Sequence, residues 1–182
     1  MFARLSLAVC LCFATAAAAQ AASFVVTSPQ FQDNAPAPLA GAQPTCGGGT
    51  STSPALAWIG APAATKSYVI ILSDVDNWSH AGLAAHWIAY GISTGVSAIP
   101  AGFASQTPAQ FVPGANFSGQ TDFRGYCPPK GDAPHHYVYT VLATDLAPDA
   151  LAPGLTREAL TLALKGHTLA GSSIVVRYAQ AP

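Results

Sequence analysis

The chain has 182 residues, of which 51% are apolar and only 8% are charged, whereas about 25% of the residues in an ordinary soluble protein are charged. Seven basic and eight acidic residues leave a net charge of -1, so the sequence lacks the excess positive charge that attracts nucleic acids and anionic membranes. A chain of this length fits a single domain, and its scattered glycines and prolines favour a folded, turn-rich structure.

The N-terminus has the pattern of a secretory signal. Arg4 supplies the positive charge, residues 5–14 form an apolar stretch, and residues 16–22 are mostly small. The alternative is a membrane anchor, but the apolar stretch is too short to span about 30 Å of hydrocarbon. The pattern therefore predicts export to the periplasm or out of the cell.

Two cleavage positions satisfy the small-x-small rule of signal peptidases, one after Ala19 and one after Ala21. The sequence does not distinguish between them. We expect a signal peptide over residues 1–21, followed by one domain over residues 22–182.

Two cysteines stay in the mature chain, Cys46 and Cys127. Exported proteins meet an oxidising environment, where cysteine pairs form disulfides. We therefore predict a bond between these two residues. The alternative is a pair of free thiols, either buried or too far apart to bridge.

Three runs of strand-forming residues lie between residues 23 and 149, where no window shows a helical stripe. These runs are 68–72, 86–92 and 137–143. The first is uninterrupted apolar sequence, which is typical of a central strand covered on both faces. Regular alternation in the second predicts that His86 shares a face with Ile88 and Tyr90.

Two connections in this part of the chain have distinct compositions. Residues 100–121 carry Gly, Pro, Gln and Ser without periodicity and predict a long loop, a class that is often functional. Residues 127–134 contain three prolines, which fix φ and can hold backbone groups toward a ligand. The alternative for the second connection is a rigid crossover without a binding role.

A helix is predicted to start at Thr156, whose hydroxyl can cap the first turn. Leu155 and Leu160 are placed as a hydrophobic staple across that start. Gly166 is suited to end the helix in a left-handed conformation. The apolar residues that follow predict a closing strand over residues 173–178.

Polar residues able to do chemistry are few, and they gather at the ends of the predicted strands. Asp74 and Asp76 follow the first strand, His86 opens the second, and His135 and His136 open the third. A carboxylate bonded to an imidazole fixes its tautomer and favours its charged form, so such a cluster can hold a phosphate. The alternative is that each Asp caps a turn and each His is a boundary residue.

Strand alternation separates the two adjacent histidines. His135 shares a face with Tyr137 and Tyr139, whereas His136 shares the other face with Val138. We therefore expect that the two histidines do not act together.

Motifs along nearly the whole mature chain resemble one known family. They are Thr45-Cys46, Ser53-Pro54-Ala55-Leu56-Ala57-Trp58, Asp74-Val75-Asp76, His86-Trp87-Ile88-Ala89-Tyr90, Gly125-Tyr126, Cys127-Pro128-Pro129, His135-His136-Tyr137, Gly154-Leu155-Thr156-Arg157-Glu158 and Lys165-Gly166-His167. Their order and spacing resemble the phosphatidylethanolamine-binding protein family, in its bacterial branch of Raf kinase inhibitor-like proteins.

The resemblance implies a mainly β fold, a Greek-key type β-sandwich with one short helix in the C-terminal half. It also implies a pocket that accepts phosphate, phosphorylated head groups or carboxylates. Matched residue by residue, and with Asp76 added from its place at the strand end, the predicted ligand-binding residues are Asp74, Asp76, His86, Pro128, Pro129, His135 and Tyr137. No cofactor, bound metal, nucleic acid or membrane span is expected, and a partner protein of unknown identity is allowed.

The chain departs from the family pattern in three places. The first Asp of the usual Asp-Pro-Asp-x-Pro is Asp74, but both prolines are replaced, and Trp78 is placed to crowd the mouth of the pocket. His136 stands where the family has Arg, which removes a fixed charge. A common Gly-Gly-Pro insertion before Cys127 is missing. These changes bear on which ligand the pocket accepts.

The sequence is compatible with four functions. A small-anion binding module is expected, and not an enzyme. A hydrolase using Asp and His as acid and base is an alternative, but no Gly-x-Ser-x-Gly elbow is present and Cys127 is expected to be oxidised. A metal site at Asp74, His86 and His135 lacks the usual ligand spacing. A protein-facing regulator, resembling protease or kinase inhibitors, is the fourth.

Overall fold

A computed structural model describes residues 23–81, 84–106 and 110–181. The predicted signal peptide and both of its cleavage positions lie outside these residues. Within them the elements are β1 (Val25–Thr27), β2 (Ala35–Pro36), β3 (Leu56–Ile59), β4 (Ser67–Asp74), β5 (Ala84–Ser93), β6 (Ala98–Ile99), β7 (Val112–Pro113), β8 (His135–Thr144), α1 (Arg157–Ala163) and β9 (Thr168–Tyr178).

The strands form two sheets. The large sheet has the order β2-β9-β8-β4-β5-β7, and the small sheet has the order β1-β3-β6. In the large sheet β2 pairs with β9 in parallel, and the other neighbours pair antiparallel. All eight residues of β4 are buried, which confirms that the uninterrupted apolar run forms a central strand.

The large sheet is covered on both faces. One face packs against the small sheet through a core that includes Trp58, Trp87 and Tyr139. The other face packs against α1 through a second cluster that includes Ile88 and Leu160. Burying each large apolar side chain contributes about 1.5–3 kcal/mol. The predicted mainly β sandwich with one short helix is confirmed.

The helix begins as predicted. The Thr156 hydroxyl accepts the Ala159 N–H at 3.3 Å, Leu160 is buried, and Gly166 has φ +83°. Of the helices in the described residues, α1 included, none is long and apolar enough to cross a membrane.

The closing strand is longer than predicted. It begins at Thr168 instead of residue 173, and its first residues pair with the end of β8. These first residues include Ala170 and Gly171, which have weak strand propensity on their own. Backbone pairing with the neighbouring strand, which a local sequence window does not contain, outweighs that weak propensity.

A β-bulge interrupts β5 at His86. Leu72 of β4 lies opposite Trp87, and the next residue, Ser73, lies opposite Ala85. One residue of β4 therefore spans two steps of β5, and His86 is the extra residue. Such a bulge bends its strand and changes the direction of a side chain.

The bulge places His86 on the face opposite to the predicted one. Ile88 and Tyr90 belong to the cluster under α1, with Leu160. The His86 ring instead contacts Tyr137 of β8, with the ring centroids 5.2 Å apart, and Tyr137 belongs to the core between the sheets. The prediction of a shared face was wrong because regular alternation does not count an inserted residue.

Cys46 and Cys127 form a disulfide in the structure, with their Cα atoms 5.2 Å apart. The bond joins the turn Pro44–Cys46 to the loop that leads into β8. The Tyr178 hydroxyl donates to the carbonyl of Cys46. This crosslink therefore fixes the loop next to the strand ends where the predicted polar residues lie.

Candidate functional site

A cavity of about 380 Å³ lies where β4 ends and where β5 and β8 begin. It is bordered by Gln43, Asp74, Asp76, Asn77, Trp78, Ser79, His86, Phe117, Arg124, Cys127, Pro128, Pro129, Asp132 and His135. Six of the seven predicted ligand-binding residues are in this set. The seventh, Tyr137, is fully buried and lies outside it.

Asp74 is the buried centre of the polar network. Its Oδ1 accepts the Asp76 N–H at 3.0 Å, and its Oδ2 accepts Nδ1–H of His135 at 2.8 Å. The Tyr137 hydroxyl also bonds to this carboxylate and accepts the Cys127 N–H at 3.3 Å. Burial and the charge of Asp74 raise the pKa of Tyr137, so the hydroxyl stays protonated and supports the carboxylate from behind the cavity.

Asp74 affects the protonation of His135, whose ring borders the cavity. Burial alone would lower its pKa, but the hydrogen bond and charge of Asp74, together with the hydrogen bond to Asp132 and the charge of Asp76, raise it. Its Nε2 lies 3.4 Å from Oδ2 of Asp132, an Asp whose side chain is half exposed. His135 therefore favours the imidazolium form, with Nε2–H available where the cavity begins.

His86 has the opposite character. Its Nδ1 lies 2.9 Å from the carbonyl oxygen of Arg124, and its Nε2 is buried without a hydrogen-bond partner among the described residues. That Nε2 lies 3.9 Å from Oδ2 of Asp74. Burial lowers the pKa of His86, despite the Arg124 carbonyl and the nearby carboxylate. The neutral form of the His86 ring is therefore favoured, whereas the charged form of the His135 ring is favoured.

Most of the chain, including every residue of this site, matches the model of one protein family. The model of the phosphatidylethanolamine-binding protein family matches residues 27–179. The chain belongs to this family.

Relatives and solved structures agree with that assignment. The UPF0098 protein YbcL of Escherichia coli is 39% identical over 138 residues, covering 69% of this chain and 70% of the relative. The crystal structure of E. coli YbcL, described as a new member of the mammalian PEBP family, matches with a TM-score of 0.79 and 28% identity over 88% of this chain and 100% of that one.

A structure of a phosphatidylethanolamine-binding protein homologue from Chlamydia trachomatis has a TM-score of 0.76 and 30% identity, over 87% of this chain and 99% of that one. A Mycobacterium tuberculosis protein whose name, LppC, describes it as a lipoprotein is 35% identical over 143 residues, covering 79% of this chain and 66% of the relative.

This family member has a second Asp–His pair at the edge of the cavity. Oδ2 of Asp76 accepts both the backbone N–H of His136, at 2.6 Å, and its ring Nδ1–H, at 2.8 Å. His136 lies on the face of β8 opposite to His135. The prediction that the two histidines point to opposite faces is confirmed. Asp76 borders the cavity, but its Oδ2 is engaged by His136.

Sequence analysis missed the loop residues that complete the site. Arg124 donates its N–H to the His86 carbonyl at 2.9 Å, and its guanidinium lies 5.0 Å from the centroid of the Phe117 ring. The Phe117 ring in turn packs against His86, with the centroids 4.9 Å apart. No motif marks either residue. The available signal was the long aperiodic loop, which contains Phe117 and ends three residues before Arg124.

The mouth of the cavity is formed by the proline turn and Trp78. Pro128 and Pro129 border the cavity, and the Pro128 carbonyl accepts the side-chain amide of Gln180. Trp78 is 78% exposed and borders the same opening. Within residues 23–81, 84–106 and 110–181, no three His, Cys, Asp or Glu residues are grouped to hold a metal ion.

Proposed function

We propose that this protein is exported and binds a small oxyanion in the cavity between Asp74, His86 and His135. The expected ligands are phosphate, a phosphorylated head group or a carboxylate. One observation carries the proposal: Asp74 accepts a hydrogen bond from His135 and raises its pKa at the border of the cavity, which favours a charged donor there. Membership of a phosphatidylethanolamine-binding family supports it.

The charged groups at the border suit an exchange of anions. Arg124 and His135 are the cationic residues that border the cavity. Asp132 lies next to Nε2 of His135 and is half exposed, so it can move aside into water when another anion arrives. A charged donor makes hydrogen bonds to an oxyanion that are about twice as strong as neutral ones.

Binding fits the geometry better than hydrolysis does. A hydrolase with a His base needs a nucleophile within hydrogen-bond reach of that base. The Ser79 hydroxyl bonds to Asn77 at 2.6 Å and to Nδ1 of His80 at 2.9 Å, and the atom near Nε2 of His135 is a carboxylate oxygen of Asp132. The group next to Nε2 of His135 is therefore a carboxylate and not an alcohol that could act as the nucleophile.

Two further observations support export. One relative is named as a lipoprotein, and the disulfide between Cys46 and Cys127 is of a kind that persists in oxidising compartments. Both agree with the secretory signal that the first residues of the sequence predict.

Calorimetric titration with phosphate and phosphoethanolamine tests the proposal. His135→Ala should weaken binding by about 1.5–3 kcal/mol, roughly 10- to 150-fold, because one hydrogen bond to a charged group is lost. Affinity should fall as pH rises through the raised pKa of His135, since the imidazolium is present below that pKa and lost above it.

His136→Ala is the matched control, because it removes the neighbouring imidazole on the opposite face of β8. Its affinity should stay close to that of the parent protein. Equal losses in the two variants, or an affinity independent of pH, would refute the proposed site.

A further inference from the structure

The buried wall of the cavity presents two hydrogen-bond acceptors side by side. Nε2 of His86 and Oδ2 of Asp74 lie 3.9 Å apart, and both residues border the cavity. From this geometry we propose that the cavity selects oxyanions that carry a proton of their own, such as monoprotonated phosphate or a monoprotonated phosphate monoester. This inference rests on the proposed function and deepens it.

The hydrogen bond at Nδ1 fixes the acceptor character of His86. A carbonyl oxygen only accepts hydrogen bonds, so the 2.9 Å contact with Arg124 requires the proton on Nδ1. A neutral imidazole then carries a lone pair on Nε2. The ring is held between Phe117 and Tyr137, with centroid distances of 4.9 and 5.2 Å, and a flipped ring would leave the carbonyl facing a carbon atom.

The Asp74 carboxylate only accepts hydrogen bonds, and the bonds that it accepts hold it in place. It already receives hydrogens from the Asp76 backbone, the His135 ring and the Tyr137 hydroxyl. None of these contacts gives it a proton to donate toward His86. A ligand oxygen between the two acceptors is therefore stabilised when it carries a hydrogen and repelled when it is a bare anion.

The surroundings of His86 favour its neutral ring. A hydrogen bond at Nε2 therefore requires a ligand that carries its own proton. The backbone carbonyls of Arg124 and Gly125 and the charge of Asp74 would stabilise an imidazolium, whereas the Arg124 guanidinium opposes it, and the Tyr137 hydroxyl from β8 is neutral. Burial of the ring adds to the opposition and lowers the pKa of His86. A buried acceptor that lacks its donor is costly, and sites built around such a bond reject analogues that lack the hydrogen.

A comparison of phosphate with sulfate tests whether the ligand must carry a proton, because both are tetrahedral anions of similar size and sulfate stays fully ionised. At about pH 6 inorganic phosphate carries at least one proton and a phosphate monoester is about half monoprotonated, so calorimetry of the purified protein should show phosphate binding at least about 10-fold more tightly than sulfate. Phosphoethanolamine should bind, whereas dimethyl phosphate, a diester without an acidic proton, should bind as weakly as sulfate.

His86→Asn tests the residue directly. The Asn amide can keep the bond to the Arg124 carbonyl, but it removes Nε2, so the ratio of phosphate to sulfate affinity should fall toward one. His136→Asn makes the same substitution on the outer face and should leave the ratio unchanged.

Each contrary outcome has a distinct meaning. Equal affinity for sulfate and phosphate in the parent protein would overturn this inference while leaving oxyanion binding intact. Tight binding of ethanolamine alone would overturn it in favour of a cation between the two acceptors. Binding of none of these compounds, and none of acetate, would refute the proposed function itself.

Discussion

Two Asp–His pairs in this protein are built from the same residue types: the carboxylates lie at the end of β4 and in the turn that follows it, and the histidines are adjacent in β8. Asp74 pairs with His135 and Asp76 with His136, and both Oδ2–Nδ1 distances are 2.8 Å. The side chains of the inner pair are 3% and 9% exposed, whereas those of the outer pair are 33% and 45% exposed. The contact geometry is shared, and burial is the difference.

That difference determines what each pair does. In the inner pair the carboxylate acts in a poorly solvated environment, so it changes the protonation of a His that borders the cavity. In the outer pair water screens the charges, and Asp76 serves to tie the turn after β4 to the start of β8 through the His136 backbone. An Asp–His contact alone therefore does not identify a functional site, and its solvent exposure must be known.

The largest test concerns the disulfide, which fixes the rim of the inner pair and leaves the outer pair untouched. Replacing both Cys46 and Cys127 by Ser should lower the free energy of unfolding by about 4 kcal/mol in the chain-entropy model, because the bond closes a loop with a sequence separation of 81. Urea unfolding of the variant and of the parent measures the change.

The same variant also distinguishes the two Asp–His pairs by NMR. The imidazole resonances of His135 should shift, because Cys127 borders the same cavity, while those of His136 should stay in place. An unfolding midpoint that does not respond to loss of the bond would contradict the assigned role of the disulfide.

The second test replaces each of the two carboxylates by a neutral amide. Asp74→Asn should lower the pKa of His135, because it removes the charge that outweighs burial of the ring. Asp76→Asn is the matched control and should move the pKa of His135 much less, since Asp76 acts on it only through a weaker charge interaction. Titration of the imidazole resonances by NMR measures both, and similar shifts in the two variants would show that burial does not separate the pairs.

The smallest effect is expected for the stability of the outer pair. Asp76→Asn should change the free energy of unfolding by no more than about 1 kcal/mol, as is usual for exposed ion pairs. Burial would raise the pKa of Asp76, but the hydrogen bonds and charge of His136 lower it.

The sign of the pH dependence follows from that lowered pKa. The contribution of Asp76 is present above the unfolded value of about 3.9 and is lost as pH falls through the lower folded value. Urea unfolding at neutral and acidic pH checks it. A loss of several kcal/mol at neutral pH would mean that the outer pair is as important to the fold as a buried one.

Much of the fold could be predicted from local sequence, because the signals were strong and regular. The uninterrupted run of β4 indicated a strand covered on both faces, and Thr156 and Gly166 marked the limits of the helix region. The face of His135 followed from alternation, since β8 pairs with β4 without a register shift.

The site could be predicted only in part, because some of it depends on contacts that no local pattern encodes. The bulge at His86 is a property of the β4–β5 pairing, so alternation placed the ring on the wrong face. Arg124 and Phe117 reach the cavity from loops. Tyr137 was predicted as a ligand-binding residue, but the structure places it behind Asp74, where it supports the carboxylate.

The bulge in β5 also sets where the chain can tolerate a change of length. The turn that follows Asp74 leads over exposed residues such as Trp78, and loops of this kind absorb insertions with little loss of stability. Deleting Ala85 would instead restore regular pairing, with His86 opposite Ser73, and would move the imidazole from the cavity to the side of the sheet that α1 covers. The ligand-facing position of His86 thus depends on the number of residues in β5 as much as on their identity.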